Sequence, residues 1–143
     1  MRFGAPRSLR ALALACGACL FTAAFPGASG ARGVHDACSK PNSSRVPCYF
    51  STPSGNIRCL WTPASQSVAC ELLASRRAYR LRPTGKAKAV KLTLTRRGET
   101  LPTSQQIVFP QSLSCDDTNT TMTCNQDFGV GFFKLGPRGS RSA

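Results

Sequence analysis

Two stretches of the chain alternate between apolar and polar residues with the period of two that is typical of half-buried β-strands. They cover residues 57–62 and 67–72, and a proline-containing turn separates them. If this turn is centred on Ala64-Ser65, equal counting in both directions sets Cys59 opposite Cys70. One face of the predicted antiparallel hairpin then carries six apolar side chains: Ile57, Cys59, Trp61, Val68, Cys70 and Leu72.

The same counting predicts a second cysteine hairpin towards the end of the chain. Around Asn119-Thr120, Cys115 falls opposite Cys124, and Leu113 falls opposite Gln126. Residues directly opposite each other in an antiparallel pair have Cβ atoms close enough for a disulfide. The spacing therefore predicts a second local bridge.

A disulfide framework is the expected use of the six cysteines that follow residue 30. Two pairs follow from the hairpin counting, and the remaining pair closes an irregular N-terminal loop. The predicted disulfide residues are Cys38 with Cys48, Cys59 with Cys70, and Cys115 with Cys124. Each closed loop of this size stabilises the fold by about 3 kcal/mol in the chain-entropy model. The stabilisation by three such loops together is comparable with the whole net stability of a small domain, about 5–15 kcal/mol.

The region between these hairpins predicts a third one. Tyr79 and Leu81 lead into a turn at 82–85, after which Val90, Leu92 and Leu94 continue along one face. A final strand is predicted over 128–136, where Gly129 and Gly131 indicate a bulge or a close backbone approach. No stretch has a helical period. We therefore expect an all-β fold: a small antiparallel sandwich or open barrel, built from hairpins and stapled by disulfides.

The first thirty residues have the parts of a secretory signal peptide. Arginines precede an apolar stretch, Ala11 to Phe25, that is too short to span a bilayer, and small residues follow up to Gly30. We expect a secreted, extracellular monomer with no transmembrane segment after cleavage. Its parts are a signal peptide 1–30, an irregular segment 31–48, a β domain 49–135 and a flexible tail 136–143.

The start of the β domain contains a tight turn, Thr52-Pro53-Ser54-Gly55. Proline presets φ at the second position, and glycine accepts a left-handed conformation at the fourth. The stretch FSTPSGNIRCLW, followed by VACE and later by CDDTNTTMTCNQDFGVGFF, resembles a family of small secreted actinobacterial proteins with a domain of unknown function. The resemblance covers roughly residues 49 to 135, although Val130 stands where the family has histidine. It implies a secreted, disulfide-bonded β domain and no particular activity.

Positive charge dominates the chain, with 19 Lys and Arg against 6 Asp and Glu. A balance of this kind favours polyanionic partners such as nucleic acid, acidic wall polymers or anionic lipid surfaces. The alternative is a solvated strand face that only keeps the protein soluble. Nine cations without one acid lie within residues 76–97, and they form the predicted polyanion-binding set: Arg76, Arg77, Arg80, Arg82, Lys86, Lys88, Lys91, Arg96 and Arg97.

The sequence offers few residues that could serve in catalysis or bind a metal. His35 is the one histidine, and a nucleophilic mechanism needs such a base held against its nucleophile. The mature cysteines stand 10, 11 and 9 positions apart within pairs, unlike zinc knuckles. The stretch DDTNTT lacks the glycine and the closing glutamate of a calcium loop, and a turn capped by Asp and Asn is the better interpretation. We expect no catalytic residues, no metal and no cofactor.

The sequence thus predicts a non-enzymatic secreted domain that binds anionic cell-envelope or extracellular polymers through its basic hairpin. Base-specific nucleic-acid recognition is disfavoured, because Tyr79 is the one aromatic residue of the segment and stacking platforms need several. An alternative is a secreted inhibitor or antimicrobial protein that presents Pro83-Thr84-Gly85-Lys86 as its exposed loop. A hydrolase that uses His35 is a further alternative.

A non-reducing peptide map of the exported protein tests the predicted pairing. We expect three crosslinked peptides, each joining cysteines 9 to 11 positions apart, and no free thiol. Crosslinks between distant pairs would contradict the hairpin counting.

Overall fold

The computed structural model describes residues 34, 35, 38 and 46–143. The predicted signal peptide lies outside the described residues. The described part contains twelve strands and, between β3 and β4, one short 3-10 turn, Pro63–Ser65. In chain order the strands are β1 (Val34–His35), β2 (Cys48–Ser51), β3 (Ile57–Thr62), β4 (Ser67–Leu72), β5 (Arg77–Leu81), β6 (Lys88–Val90), β7 (Glu99–Thr100), β8 (Gln106–Phe109), β9 (Leu113–Asp117), β10 (Met122–Gln126), β11 (Phe132–Gly136) and β12 (Gly139–Ser142).

The strands form two six-stranded sheets that do not close into a barrel. Sheet I has the order β6-β5-β4-β3-β2-β7, and sheet II has the order β1-β8-β9-β10-β11-β12. Neighbouring strands are antiparallel except at one edge of each sheet, where β7 pairs with β2 and β1 pairs with β8 in parallel. The predicted all-β class is confirmed, and of the two predicted architectures the sandwich is the observed one.

The hydrophobic core lies between the two sheets. In β3 the residues alternate between fully and partly buried, as a strand with one face in the core should. Trp61 and Phe50 of sheet I pack against Phe109 of sheet II, with ring centroids 4.8 and 5.7 Å apart. At another point Tyr79 stacks on Phe133 at 6.1 Å. The sheets are therefore joined by aromatic contacts at two places.

The predicted hairpin registers are confirmed. Cys59 pairs with Cys70, and their Cα atoms are 4.1 Å apart. Cys115 pairs with Cys124 at 4.0 Å in the other sheet. Both pairs form disulfides that are completely buried on the inner faces of their sheets, and the third bridge joins Cys38 to Cys48 as expected.

The opening turn links the two sheets at one end of the sandwich. Gly55 has φ +70°, the left-handed value that its place in the turn predicts. Ser54 donates from Oγ to the carbonyl of Asn119 at 2.8 Å, and Asn56 donates from Nδ2 to the carbonyl of Thr120 at 3.3 Å. The turn of sheet I is thereby bonded to the β9–β10 turn of sheet II.

The predicted third hairpin is confirmed for β5 and β6 but is wrong beyond Val90. Residues 91–98, which we call the crossing segment, contain no strand. The physical reason is topological: β6 and β7 lie at opposite edges of sheet I, so the chain must cross the outer face of the sheet between them. Leu94, which was expected on a strand, is instead part of this crossing segment and is buried.

A buried carboxylate holds the crossing segment on the sheet. Glu71 lies on the outer face of β4 and is fully buried; its Oε2 accepts the backbone N–H of Leu94 at 2.6 Å. Arg76 contacts the other carboxylate oxygen at 3.1 Å. From β3, Arg58 donates to the carbonyls of Leu94 and Thr95 at 3.0 and 2.6 Å. The backbone groups of the crossing segment are thus satisfied by side chains of the sheet.

The structure differs from the predicted bounds at three places. The segment 31–48, expected to be irregular, contains β1, which pairs with β8. The predicted tail 136–143 contains β12, because the edge of β11 offers it backbone hydrogen bonds. The last predicted strand begins at Phe132 rather than at residue 128, and residues 128–131 form a loop.

Replacing Glu71 tests this attachment. We expect Glu71→Ala to lower the free energy of unfolding by about 2–4 kcal/mol, because it leaves the buried N–H of Leu94 without its acceptor. Arg76→Ala should cost less than about 1 kcal/mol, since the side chain of Arg76 is 68% exposed. Urea unfolding measures both. Equal losses would mean that the ion pair, not the backbone bond, holds the segment.

Candidate polyanion-binding surface

All nine predicted polyanion-binding residues are exposed, but they do not share one surface. They divide into a group that borders one groove and a group that contacts other parts of the fold. The division follows from the topology, since only part of the basic segment is a hairpin.

Four of the cations border a groove of about 290 Å3 on the β5–β6 hairpin, which we call the hairpin groove. Arg80 lies opposite Lys88 in the register of β5 and β6. Arg80 points away from the core because its neighbours Tyr79 and Leu81 point inward. Arg82 and Lys86 extend the basic border into the turn. Within the described residues, none of the four forms a salt bridge with a carboxylate.

The end of this hairpin is attached to sheet II. Gln126, at the end of β10, donates from Nε2 to the carbonyls of Arg82 and Gly85 at 2.7 and 2.8 Å. Gly131 lies so close that a Cβ there would collide with the carbonyl oxygen of Gly85. The close backbone approach that the sequence predicted at this glycine is therefore observed, and it keeps the turn in place.

Four other members of the predicted set have contacts within the fold. Arg76 pairs with Glu71, and Arg77 donates to Oγ of Ser140 at 3.3 Å. The other two lie near the opening turn and β2: Arg97 donates to the carbonyl of Pro53 at 3.0 Å, and the guanidinium of Arg96 lies 4.8 Å from the ring centre of Tyr49. The ninth, Lys91, lies in the crossing segment, outside the hairpin groove.

The prediction missed a second basic groove at the edge of sheet II. This edge groove, of about 580 Å3, is bordered by Lys134, Arg138 and Arg141. Lys134 lies opposite Arg141 in the β11–β12 register. The turn residues Gly136-Pro137-Arg138-Gly139 were the signal that could have predicted this hairpin. They were assigned to the tail instead.

Asp117 lies at the start of the β9–β10 turn that borders the edge groove. Its side chain is buried, and this desolvation raises the pKa of its carboxyl. The backbone N–H of Asn119 donates to Oδ1 at 2.8 Å and opposes the shift, whereas Oδ2 has no hydrogen-bond partner among the described residues. The Asp cap of the predicted turn is confirmed. In the part of the chain that the structure describes, no three His, Cys, Asp or Glu side chains cluster as metal ligands would.

His35 belongs to β1, and its side chain lies outside the described residues. Among residues 34, 35, 38 and 46–143, no helix is long and apolar enough to cross a membrane.

Comparison of the chain with protein-family models, with curated proteins and with solved structures finds no match. The family resemblance of the sequence stays a prediction.

The pH dependence of stability tests the burial of Asp117. Because its pKa in the folded state is raised above about 3.9, the folded state binds more protons than the unfolded state, and stability falls as pH rises through that raised pKa. Asp117→Asn keeps an acceptor for Asn119 and removes the buried charge. We expect its stability relative to the parent protein to be higher at pH 7 than at pH 3.5.

Urea unfolding at both pH values measures the difference. Asp127→Asn is the matched control, since it removes an exposed carboxylate from the same hairpin region. An equal change for both variants at both pH values would contradict a specific cost of burying Asp117.

Proposed function

We propose that the protein is a secreted, non-enzymatic domain that binds anionic cell-envelope or extracellular polymers in the hairpin groove. The observation that carries this proposal is the set of four exposed cations around one groove, with no carboxylate of the described residues bound to them. Phosphate, sulfate and carboxylate groups are the ligands that such lysines and arginines attract.

The distribution of acids supports the proposal. Glu71 and Asp117 are buried, so neither carboxylate lies at the surface to oppose the field of the cations. Without Arg2, Arg7 and Arg10 of the predicted signal peptide, 16 Lys and Arg stand against 6 Asp and Glu, a formal net charge of +10. An excess of one sign, concentrated at a groove, raises the local concentration of ligands of the other sign.

The rigidity of the groove also favours binding. The turn between β5 and β6 is held by Gln126, and the disulfide of β4 with β3 fixes the register of the sheet to which β5 is added. A preorganised site loses less conformational entropy when a ligand binds. The same polymer therefore binds more tightly here than to equal charges on a flexible tail.

Secretion is part of the proposal. It is supported by the signal-peptide pattern of residues 1–30 and by three disulfides, which are compatible with an extracellular location. The resemblance to small secreted actinobacterial proteins points the same way.

Inhibition of another protein is the second candidate function. It is favoured by the turn at 83–86, which is exposed at Thr84, Gly85 and Lys86 and is held in place by Gln126. Inhibitory loops need this combination of exposure and rigidity. Such a function would place Lys86 in a pocket of the partner, whereas polymer binding needs all four cations.

Two charge-matched variants test the proposed function. The groove variant Arg82→Gln/Lys86→Gln/Lys88→Gln and the edge variant Lys134→Gln/Arg138→Gln/Arg141→Gln each remove three positive charges. We expect the groove variant to elute from heparin at clearly lower salt than the edge variant. We also measure binding to duplex DNA, used as a simple polyanion. The plot of the logarithm of the binding constant against the logarithm of the salt concentration should have a slope about three units shallower for the groove variant than for the edge variant.

The comparison separates a site from general charge. Elution of the two variants at the same salt concentration would show that net charge alone causes retention. Elution of the edge variant at lower salt than the groove variant would place the site at the edge groove. Loss of binding to a protein partner through Lys86→Gln alone, with heparin retention intact, would favour the inhibitor function.

A further inference from the structure

A loop of exposed apolar side chains lies between β10 and β11. Phe128 is 93% exposed, Val130 is 79% exposed and Phe132 is 37% exposed. Only one other large hydrophobic residue of the described chain is exposed, Val46. The three side chains fall within five residues of the chain, and exposed apolar side chains that are grouped rather than scattered singly mark an interaction surface. We call residues 128–132 the apolar loop.

The base of the apolar loop is closed by hydrogen bonds. The backbone N–H of Gln126 donates to the carbonyl of Gly131 at 3.1 Å, and the N–H of Gly131 donates to Oε1 of Gln126 at 3.0 Å. Asp127 donates its N–H to the carbonyl of Ser112, and its carboxylate accepts from Ser114 at 3.1 Å. The exposed side chains therefore project from a fixed turn.

The apolar loop and the hairpin groove lie side by side. The same Gln126 that closes the loop also binds the carbonyls of Arg82 and Gly85, and Gly131 lies directly against Gly85. Residue 143 joins the two as well, since its carbonyl accepts the N–H groups of Ala87 and Phe132, both near 3 Å. One end of the molecule thus presents aromatic side chains next to four cations.

We propose that this end of the sandwich docks on an anionic lipid bilayer, with Phe128 and Val130 entering the boundary between headgroups and acyl chains. This inference rests on the anion-binding hairpin groove of the proposed function and adds a partner of another kind, an anionic bilayer, to the polymers proposed there. Interfacial binding is strong when apolar insertion and basic residues act together, and each alone is weak. The cations of the hairpin groove are placed to contact lipid phosphates while the apolar loop enters the interface.

Charge complementarity favours this occupant over the other two. A wall polymer satisfies the cations but offers no apolar phase for Phe128. A second copy of the chain, docked through the same end, would set four cations against four, which opposes association. An anionic bilayer satisfies both parts of the surface.

Vesicle flotation of the disulfide-bonded mature protein tests the inference. The vesicles contain phosphatidylcholine alone or with a third of it replaced by phosphatidylglycerol. We expect binding to the anionic vesicles that Phe128→Ser/Val130→Ser weakens about tenfold or more and that Lys86→Gln/Lys88→Gln weakens about fivefold for each charge. Val46→Ser is the matched control: this residue is 57% exposed outside the apolar loop, and its replacement should leave binding unchanged.

The outcomes separate the two proposals. Full vesicle binding by Phe128→Ser/Val130→Ser would overturn the bilayer inference and leave polymer binding standing, provided that heparin retention persists. Loss of heparin retention by this variant would contradict the assignment of anion binding to the hairpin groove and of apolar insertion to the apolar loop. Dimerisation of the parent protein in sedimentation, abolished by the same substitutions, would overturn the inference in favour of a contact between two copies.

Discussion

Two buried disulfides hold the strand register on which the rest of the sandwich depends. A slip of one residue in either hairpin would turn every inner side chain to the outer face. The bonds Cys59–Cys70 and Cys115–Cys124 exclude such slips, because each joins residues directly opposite each other in one sheet. The aromatic contacts between the sheets, such as Trp61 with Phe109, require both registers at once. A small core is thereby sufficient.

Much of the positive charge of the chain is used to build the fold. Arg58 donates to a carbonyl of the crossing segment, and Arg76 pairs with Glu71, the carboxylate that binds this segment. Arg97 donates to the carbonyl of Pro53 in the opening turn. A guanidinium suits these positions because it donates several hydrogen bonds at once. The net charge is therefore a poor measure of binding capacity. What matters is where cations remain without partners inside the fold, and among the described residues the hairpin groove and the edge groove are two such places.

Gln126 connects the fold to the proposed binding end. With one buried amide it closes the apolar loop and anchors the hairpin turn, so two surfaces from different sheets keep a constant relation. Separate anchoring would leave them free to move apart, and a joint contact with one partner would then cost more conformational entropy. The side chain acts by positioning both surfaces rather than by touching a ligand.

Local alternation and spacing determined most of the secondary structure. The hairpins around the two cysteine pairs, the turn at Gly55 and the all-β class were predictable from the sequence. The reason is that side chains of a strand repeat every two residues and that a hairpin pairs strands that are neighbours in sequence. The order of strands in each sheet was not predictable in this way. It decided that residues 91–98 cross the sheet instead of extending β6, and that residues 128–131 meet the turn at Gly85. Those contacts join residues that are 23 or more positions apart, and no local pattern records such distances.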